Sequence, residues 1–192
     1  MGPLKTNKKI KLGAALCCLL AFSGIVSAEA GKGIDYKAMV QQDIRDFQAY
    51  FKKRFSQVDF SEYKNGVYAI DSASREQWLE MEDFPPYEFA VDEGEALFAT
   101  PFANGKSYAD CFANGGDGIR QNYPYFDSEK GEVISLELAI NNCREANGEK
   151  PLAYKKGPLA ALSAYMASTS AGNTFAVSVP DEAAYRAYIE GK

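Results

Sequence analysis

The stretch ADCFANGGDGIRQNYPYFD, residues 109–127, contains one cysteine among glycine, asparagine and aromatic residues. It places Cys111 in front of a glycine cluster and a Tyr-Pro-Tyr-Phe run, in a sequence that contains no histidine. Residues 104–131 as a whole are rich in Gly, Asn, Asp and Pro, which predicts a long loop. Loops of this length inside compact domains are usually functional or wrap around something. We therefore expect the segment around Cys111 to have a definite role.

Helical patterns precede this loop. Apolar residues recur at helical spacing around Phe47, with charged residues between them, and predict an amphipathic helix of about 20 residues. Ser74 and Gln77 fit a capping box at the start of a second, shorter helix. A third helix follows, and Asp92 and Glu93 are expected at its N-terminus, where acidic side chains are favoured.

Three more helices are predicted after the loop. Ser135 is a good N-cap, the apolar spacing turns Cys143 inward, and Gly148 closes that helix. A last core helix begins with Pro158 in its first turn. Asp181 is expected to cap one further short helix. The chain is therefore predicted to be mainly α, with long ordered loops.

The first 28 residues have the pattern of a Sec-type signal peptide. Four lysines form a basic region, an apolar run follows, and small residues offer cleavage near Ala28 or Ala30. Residues 29–34 are then a flexible leader. This pattern predicts a periplasmic protein.

A membrane anchor is the alternative interpretation of the same segment. Its apolar run is about 15 residues long, which is below the ~20 that a spanning helix needs. Cys17 and Cys18 lie inside this run, and neither follows the small residue of a lipoprotein signal, so a lipid anchor is the minor alternative. We expect no membrane association after cleavage.

Charge excludes one class of partner. Residues 1–28 carry four Lys and no acid, so their removal leaves 17 basic against 26 acidic side chains, a formal charge of −9. Such a surface does not attract nucleic acid phosphates. It suits an exported protein that meets basic partners or small molecules.

Cys111 and Cys143 are the cysteines that remain after cleavage. An even number in an oxidising compartment most simply indicates a disulfide, which would contribute roughly 3 to 4 kcal/mol for a loop of about 33 residues. A redox-active dithiol is the alternative, although neither cysteine lies in a CxxC motif. A zinc site is less favoured still, since two cysteines without histidine do not complete one.

Other catalytic and ligand-binding motifs have little support in the sequence. Without histidine, His-dependent triads and His-ligated zinc sites are excluded. The carboxylate pairs Glu82/Asp83 and Asp92/Glu93 are adjacent at helix ends, which is typical of capping and solvation. GGDGIRQ, residues 115–121, lacks the Lys-Ser/Thr ending of a phosphate loop. We predict no catalytic, cofactor-binding or metal-ligating residue in this chain.

The order of elements from Gly94 onward is similar to a class I cytochrome c domain. GEALF precedes a cysteine and a loop, and a helix with an inward sulfur and LAALSAYMAS follow. Where such a domain has CxxCH, this chain has CFANG, with Asn114 in place of the second cysteine and Gly115 in place of the histidine. The resemblance implies a mainly α, cytochrome c-like domain that lacks haem, over residues 35–179, with an N-terminal helical arm.

Longer strings narrow the resemblance to the SoxA family, the cytochrome c subunits of the SoxAX complex of bacterial sulfur oxidation. They are FPPYEFAVDEGEALF, PFANGKSYADCFANGGDGIRQNYPYFD, VISLELAINNCREANGEKPL and GPLAALSAYMASTSAG. The likeness covers about residues 35–192. It implies two cytochrome-like domains, the first of which has lost its haem in single-haem members. In those members a disulfide joins the positions of Cys111 and Cys143.

The resemblance also implies an activity. SoxA with a SoxX-type cytochrome couples thiosulfate oxidatively to the carrier cysteine of SoxY, as an L-cysteine S-thiosulfotransferase, and passes electrons to a cytochrome. Haem c and the catalytic groups belong to a second domain, to which residues 180–192 would begin the linker. We expect the chain to be a fragment or a truncated gene product, and no residue in it inherits a catalytic role.

Two other functions stay open at this stage. One is a stand-alone, haem-free periplasmic binding module that docks a partner through the phenylalanine-rich N-terminal helix and the aromatic run NYPYF, residues 122–126. The other is a periplasmic thiol oxidoreductase, which would need an easily reduced bond between Cys111 and Cys143.

Overall fold

A computed structural model describes residues 33–192, of which Ile34–Lys192 form one compact unit. The predicted signal peptide and most of the leader lie outside the described residues. Within this range the protein is mainly α, as the sequence predicts. The α-helices are α1 (Tyr36–Arg54), α2 (Ser72–Glu82), α3 (Glu88–Ala99), α4 (Leu136–Ala146), α5 (Pro158–Ser168) and α6 (Glu182–Gly191).

The crossing of α3 and α5 organises the domain. Gly94 of α3 is buried and lies directly on the backbone of α5. A Cβ at this position would overlap the carbonyl oxygen of Ala161 and would lie 2.8 Å from the Cβ of Tyr165. The two helices therefore approach at backbone distance, which only glycine at position 94 permits.

A single apolar cluster packs between α3, α4, α5 and the loop after α3. Its buried members are Phe102, Tyr108, Ile119, Leu136, Ile140, Cys143, Leu159, Leu162 and Met166. Local signals place the helices that supply them: the Ser135 hydroxyl accepts a hydrogen bond from the Leu138 N–H at 3.2 Å, and Pro158 occupies the first turn of α5. The predicted N-cap of α4 and the predicted first-turn proline of α5 are confirmed.

The segment 104–131, predicted as loop, contains regular structure. Three short 3₁₀ helices, Tyr108–Asp110, Ala113–Gly116 and Arg120–Asn122, precede a two-stranded antiparallel hairpin. Its strands β1 (Tyr125–Asp127) and β2 (Glu132–Ile134) pair Phe126 with Val133. The Asp127 carboxylate closes the turn by accepting from the N–H groups of Glu129 and Lys130.

An N-terminal arm consists of α1, a 3₁₀ segment (Phe60–Ala69) and α2. The predicted amphipathic helix is α1, and its N-cap Asp35 accepts from the Ala38 N–H at 2.9 Å. None of these three elements has a buried residue. The arm is held together by ring contacts such as the stack of Tyr68 on Trp78, with centroids 5.3 Å apart.

Two predictions about helix starts are wrong. The N-cap of α2 is Asp71, not Ser74, because the Asp71 carboxylate already accepts from the Ala73 N–H at 3.0 Å and the Ser74 N–H at 3.3 Å. Asp92 and Glu93 lie in the middle of α3, which begins at Glu88 directly after the Pro-Pro turn. The local acid pattern therefore does not mark this helix start.

Candidate functional site

Cys111 and Cys143 are joined by a disulfide, with their Cα atoms 5.8 Å apart. Cys143 lies on α4 with 5% of its surface exposed, and Cys111 follows the 3₁₀ turn Tyr108–Asp110 at the surface. The Asn147 side chain donates to the Cys143 carbonyl at 2.8 Å and lies 3.5 Å from the Cys111 sulfur. The bond thus ties the loop at Cys111 to the C-terminal half of α4.

A capping box fixes the turn that leads to Cys111. The Asp110 carboxylate accepts from the Ser107 N–H at 2.7 Å and from the Ser107 hydroxyl at 3.0 Å. The Ser107 N–H, followed by the Ser107 hydroxyl, lowers the pKa of Asp110. The acid therefore stays ionised in this turn over a wider pH range than a free aspartate does.

Polar side chains of α4 secure the surrounding loops. Arg144 donates to the hydroxyl of the buried Tyr108 at 2.9 Å and to the Lys150 carbonyl at 2.7 Å. Asn141, 3% exposed, accepts from the Leu152 N–H at 2.8 Å and donates to the Leu152 carbonyl at 3.1 Å. Each buried polar group here has a partner, which makes the disulfide region a rigid structural site.

Aromatic rings fill the interior beside the Cys111 loop. Phe98 stacks on Tyr108 at 5.6 Å and contacts Tyr165 at 5.4 Å between ring centroids. Gly116, at φ 87°, brings the loop backbone onto Phe98, since a Cβ there would lie 2.6 Å from the ring. Side chains of the protein itself therefore occupy the space between this loop and α5.

A second candidate site is an apolar groove along the arm, with a volume of about 1020 Å³. We call it the arm groove. Its walls include Ile44, Phe47, Phe51, Phe60, Val67 and Ile70, with Phe175 and Tyr188 from the C-terminal part of the chain. Phe47 is 66% exposed, although its ring lies 4.7 Å from that of Phe51. The groove presents a large apolar surface to solvent.

The rim of the arm groove carries cations. Lys64 and Lys192 line it, and the Lys52 ammonium lies 3.9 Å above the Phe60 ring. Asp43 accepts from the Lys192 ammonium at 2.7 Å and from the Tyr188 hydroxyl at 3.1 Å. The hydrogen bond from Lys192, with a smaller one from Tyr188, lowers the pKa of Asp43. These contacts join α1 to α6 at one end of the groove.

Comparison with known proteins identifies the domain around the disulfide. Residues 93–175 match the model of the SoxA/TsdA cytochrome c domain. The chain is 49% identical, over 186 residues, to the L-cysteine S-thiosulfotransferase subunit SoxA of Chlorobaculum tepidum. That match covers 97% of this chain and 65% of the relative. Residues 93–175 belong to the SoxA/TsdA cytochrome c domain family.

Other SoxA relatives agree with this assignment. The SoxA subunit of Chlorobaculum thiosulfatiphilum is 51% identical over 97% of this chain, and that of Allochromatium vinosum is 48% identical over 91%. The chain spans 65% of the length of the first relative and 62% of the other. The SoxA resemblance seen in the sequence is confirmed, as is the cytochrome c-like fold class.

The residues present do not fit the haem c that a SoxA/TsdA cytochrome c domain implies. Covalent haem attachment needs two thiols and a histidine, whereas Cys111 is bonded to Cys143 and is followed by Asn114 and Gly115. The Asn114 side chain donates to the Asp117 carbonyl at 2.9 Å and serves the turn itself. Aromatic rings, as described above, take up the neighbouring interior. The domain has the cytochrome c-like fold, but the residues around Cys111 do not provide the groups that attach haem c.

Two further observations apply to residues 33–192. In this range no three His, Cys, Asp or Glu side chains gather in a way that could hold a metal ion. Among the helices of the same range, none is both long and apolar enough to span a bilayer. The sequence singled out the cysteines and the phenylalanine helix, but it gave no indication that Phe175 and Tyr188 complete the arm groove.

Proposed function

We propose that this chain is the N-terminal part of a SoxA-type subunit of a thiosulfate-oxidising SoxAX complex. The observation that supports this most directly is the 49% identity to a SoxA subunit over 97% of the chain. The whole subunit would act as an L-cysteine S-thiosulfotransferase in the periplasm, in keeping with the signal peptide predicted for residues 1–28. The domain described here takes a structural and partner-binding role.

The reaction proposed for the whole complex joins thiosulfate to the carrier cysteine of a SoxY-type protein. An S–S bond forms between the cysteine sulfur and the outer sulfur of thiosulfate. This bond formation releases two electrons, which pass to a cytochrome acceptor, and the thiol proton is lost to solvent. We assign haem c to the second domain of the family, and no residue of this chain takes part in the chemistry.

A SoxX-type cytochrome is the partner that we propose for the arm groove. Exposed contiguous apolar surface of this size is typical of protein interfaces. The rim lysines favour a partner segment that places acidic side chains around an apolar centre. The same groove supports the stand-alone binding module as the second candidate function, since that function needs an interface and no catalytic group.

The partner assignment can be tested with groove variants. The protein is titrated with a SoxX-type cytochrome from the same source, before and after the double substitution Ile44→Ser/Phe47→Ser. We expect the variant to bind at least about tenfold more weakly, because apolar anchors dominate interface energies. The control Val133→Ser changes an exposed apolar side chain on β2 and should leave the Kd unaltered. Equal binding by both variants would exclude the groove as the docking site.

The coding DNA tests the assignment to a longer subunit. We expect the reading frame to continue past Lys192 into a CxxCH motif. A stop codon directly after Lys192 in an intact genome would remove this proposal and leave the stand-alone binding module.

A further inference from the structure

The α2–α3 connection concentrates negative charge on one surface. Between Arg75 and Lys106 the chain has no basic residue, yet residues 76–95 contain eight acids: Glu76, Glu80, Glu82, Asp83, Glu88, Asp92, Glu93 and Glu95. Among the ion pairs of residues 33–192, none involves any of these eight carboxylates. Helix capping accounts for little of this charge, since Glu88 alone lies in the first turn of α3.

Aromatic side chains stand in the middle of this charge. Phe84 is 73% exposed and Phe89 is 68% exposed, and their rings meet edge to face with centroids 6.2 Å apart. Tyr87, 52% exposed, donates its hydroxyl to Glu82 at 2.8 Å. We call this surface, built on residues 79–95, the acidic aromatic face.

The turn between α2 and α3 constrains the backbone of the acidic aromatic face. Pro85 is buried and anchors the turn between α2 and α3, so that the two phenylalanines extend from a short, constrained segment. The bond to Glu82, with a smaller effect of burial, raises the pKa of Tyr87. Rigid, exposed aromatic rings lose little conformational entropy on binding, and such rings are the usual anchors of interfaces.

We propose that the acidic aromatic face docks a basic protein, one that presents lysine or arginine side chains around an apolar patch. The charge would attract the partner and orient it, and the phenylalanine pair would fill the apolar centre. The arm groove differs in charge, since Lys64 lines it and Lys52 lies over its Phe60 ring, while Lys192 is paired there with Asp43. A basic partner therefore prefers the acidic aromatic face, and this inference does not depend on the groove's partner.

The test uses the intact protein and, as the probe, a basic cytochrome c whose exposed haem edge is ringed by lysines. Isothermal titration is carried out at about 20 mM and about 200 mM salt. We expect Phe84→Ser/Phe89→Ser to weaken binding about tenfold or more at both salt concentrations. The triple substitution Glu82→Gln/Asp83→Asn/Glu88→Gln should weaken binding mainly at low salt and reduce the salt dependence.

Two control variants test whether the loss of binding is specific to the acidic aromatic face. Val133→Ser removes an exposed apolar side chain elsewhere, and Asp46→Asn removes an exposed acid from α1, so both should keep the Kd within about twofold. Thermal unfolding of each variant is measured alongside, and we expect it to match that of the unsubstituted protein because none of the substituted side chains is buried. Chemical-shift changes on adding the probe should centre on residues 79–95.

Three results would overturn the proposal. The first is no binding of the probe even at low salt. The second is binding that falls equally for every acid removed and is insensitive to the phenylalanine pair, because this indicates charge attraction without a defined site. The third is self-association of the protein that Phe84→Ser/Phe89→Ser abolishes and that the basic probe does not displace, since the occupant is then a second copy of the chain.

Discussion

The disulfide-closed core and the N-terminal arm use the same kinds of residue for opposite purposes. In the core, α3 and α5 meet at backbone distance through Gly94, and the aromatic rings around Tyr108 are enclosed. In the arm, α1 carries Phe47 and Phe51 and has no buried residue, and Phe47 is 66% exposed. Apolar content alone therefore does not show which part of this chain provides stability and which part provides a surface.

The comparison indicates that, within one compact unit, the core provides stability and the arm provides a binding surface. In the core, the apolar side chains of the central cluster are buried within the domain and the two cysteines are bonded to each other. The arm is attached through a few contacts, among them the bonds from Lys192 and Tyr188 to Asp43. We expect changes in the core to alter the free energy of unfolding and changes in the arm to alter binding.

The largest effect is expected from removing the disulfide. Cys111→Ser/Cys143→Ser opens a ring that spans 32 positions of sequence separation, and should lower the free energy of unfolding by about 3 to 4 kcal/mol through loop-closure entropy. Urea unfolding of the oxidised protein and the double variant measures this difference. A change below about 1 kcal/mol would show that the aromatic interior holds the core without the bond.

A somewhat smaller effect is expected at the helix crossing. Gly94→Ala should lower the free energy of unfolding by about 2 to 3 kcal/mol, because the added methyl group meets backbone atoms of Ala161 that cannot move independently. The matched control is Gly191→Ala in α6, where nothing lies within 4 Å of the new Cβ. If both substitutions had the same effect, the close contact of α3 and α5 would be wrong.

A substitution in the arm should have little effect on stability. Phe47→Ser is expected to change the free energy of unfolding by less than about 0.5 kcal/mol, since the ring is already largely exposed. Leu162→Ala in the core, where the side chain is fully buried, should cost at least about 2 kcal/mol in the same assay. Comparable losses for the two variants would contradict the division between arm and core.

The smallest effect concerns the attachment of the arm at low pH. The pKa of Asp43 is lowered in the folded protein, chiefly by the hydrogen bond from Lys192, so this contact favours the attached arm above the ordinary aspartate pKa. It is lost as the pH falls through the lowered value. NMR titration of the Asp43 carboxyl should give a midpoint below the usual range, and Lys192→Met should raise it. An unchanged midpoint in the variant would show that the pair does not form in solution.

Local signals made much of the helical framework predictable. Ser135, Pro158 and Asp181 each mark a helix start through chemistry confined to a few residues, and all three starts are confirmed. The helix around Phe47 is equally clear, because its apolar spacing repeats over several turns. The sequence also indicated an inward Cys143, which lies buried on α4.

Other features depend on contacts between distant parts of the chain. The hairpin of β1 and β2 is short, and it was not predicted because the surrounding sequence is rich in Gly, Asn and Asp, which is typical of loops. The arm groove needs Phe175 and Tyr188, which lie more than 100 positions from Phe47, so no local pattern could reveal it. The start of α3 was mispredicted because its acids lie on an exposed surface and do not cap the helix.

The ring closed by Cys111 and Cys143 contains the hairpin and two of the three 3₁₀ turns. A protease that cuts the backbone once anywhere between these cysteines produces two pieces that remain covalently joined. Such nicked molecules would migrate as one band on a gel until a reductant is added. A single backbone cut within this ring therefore releases no fragment from the oxidised protein.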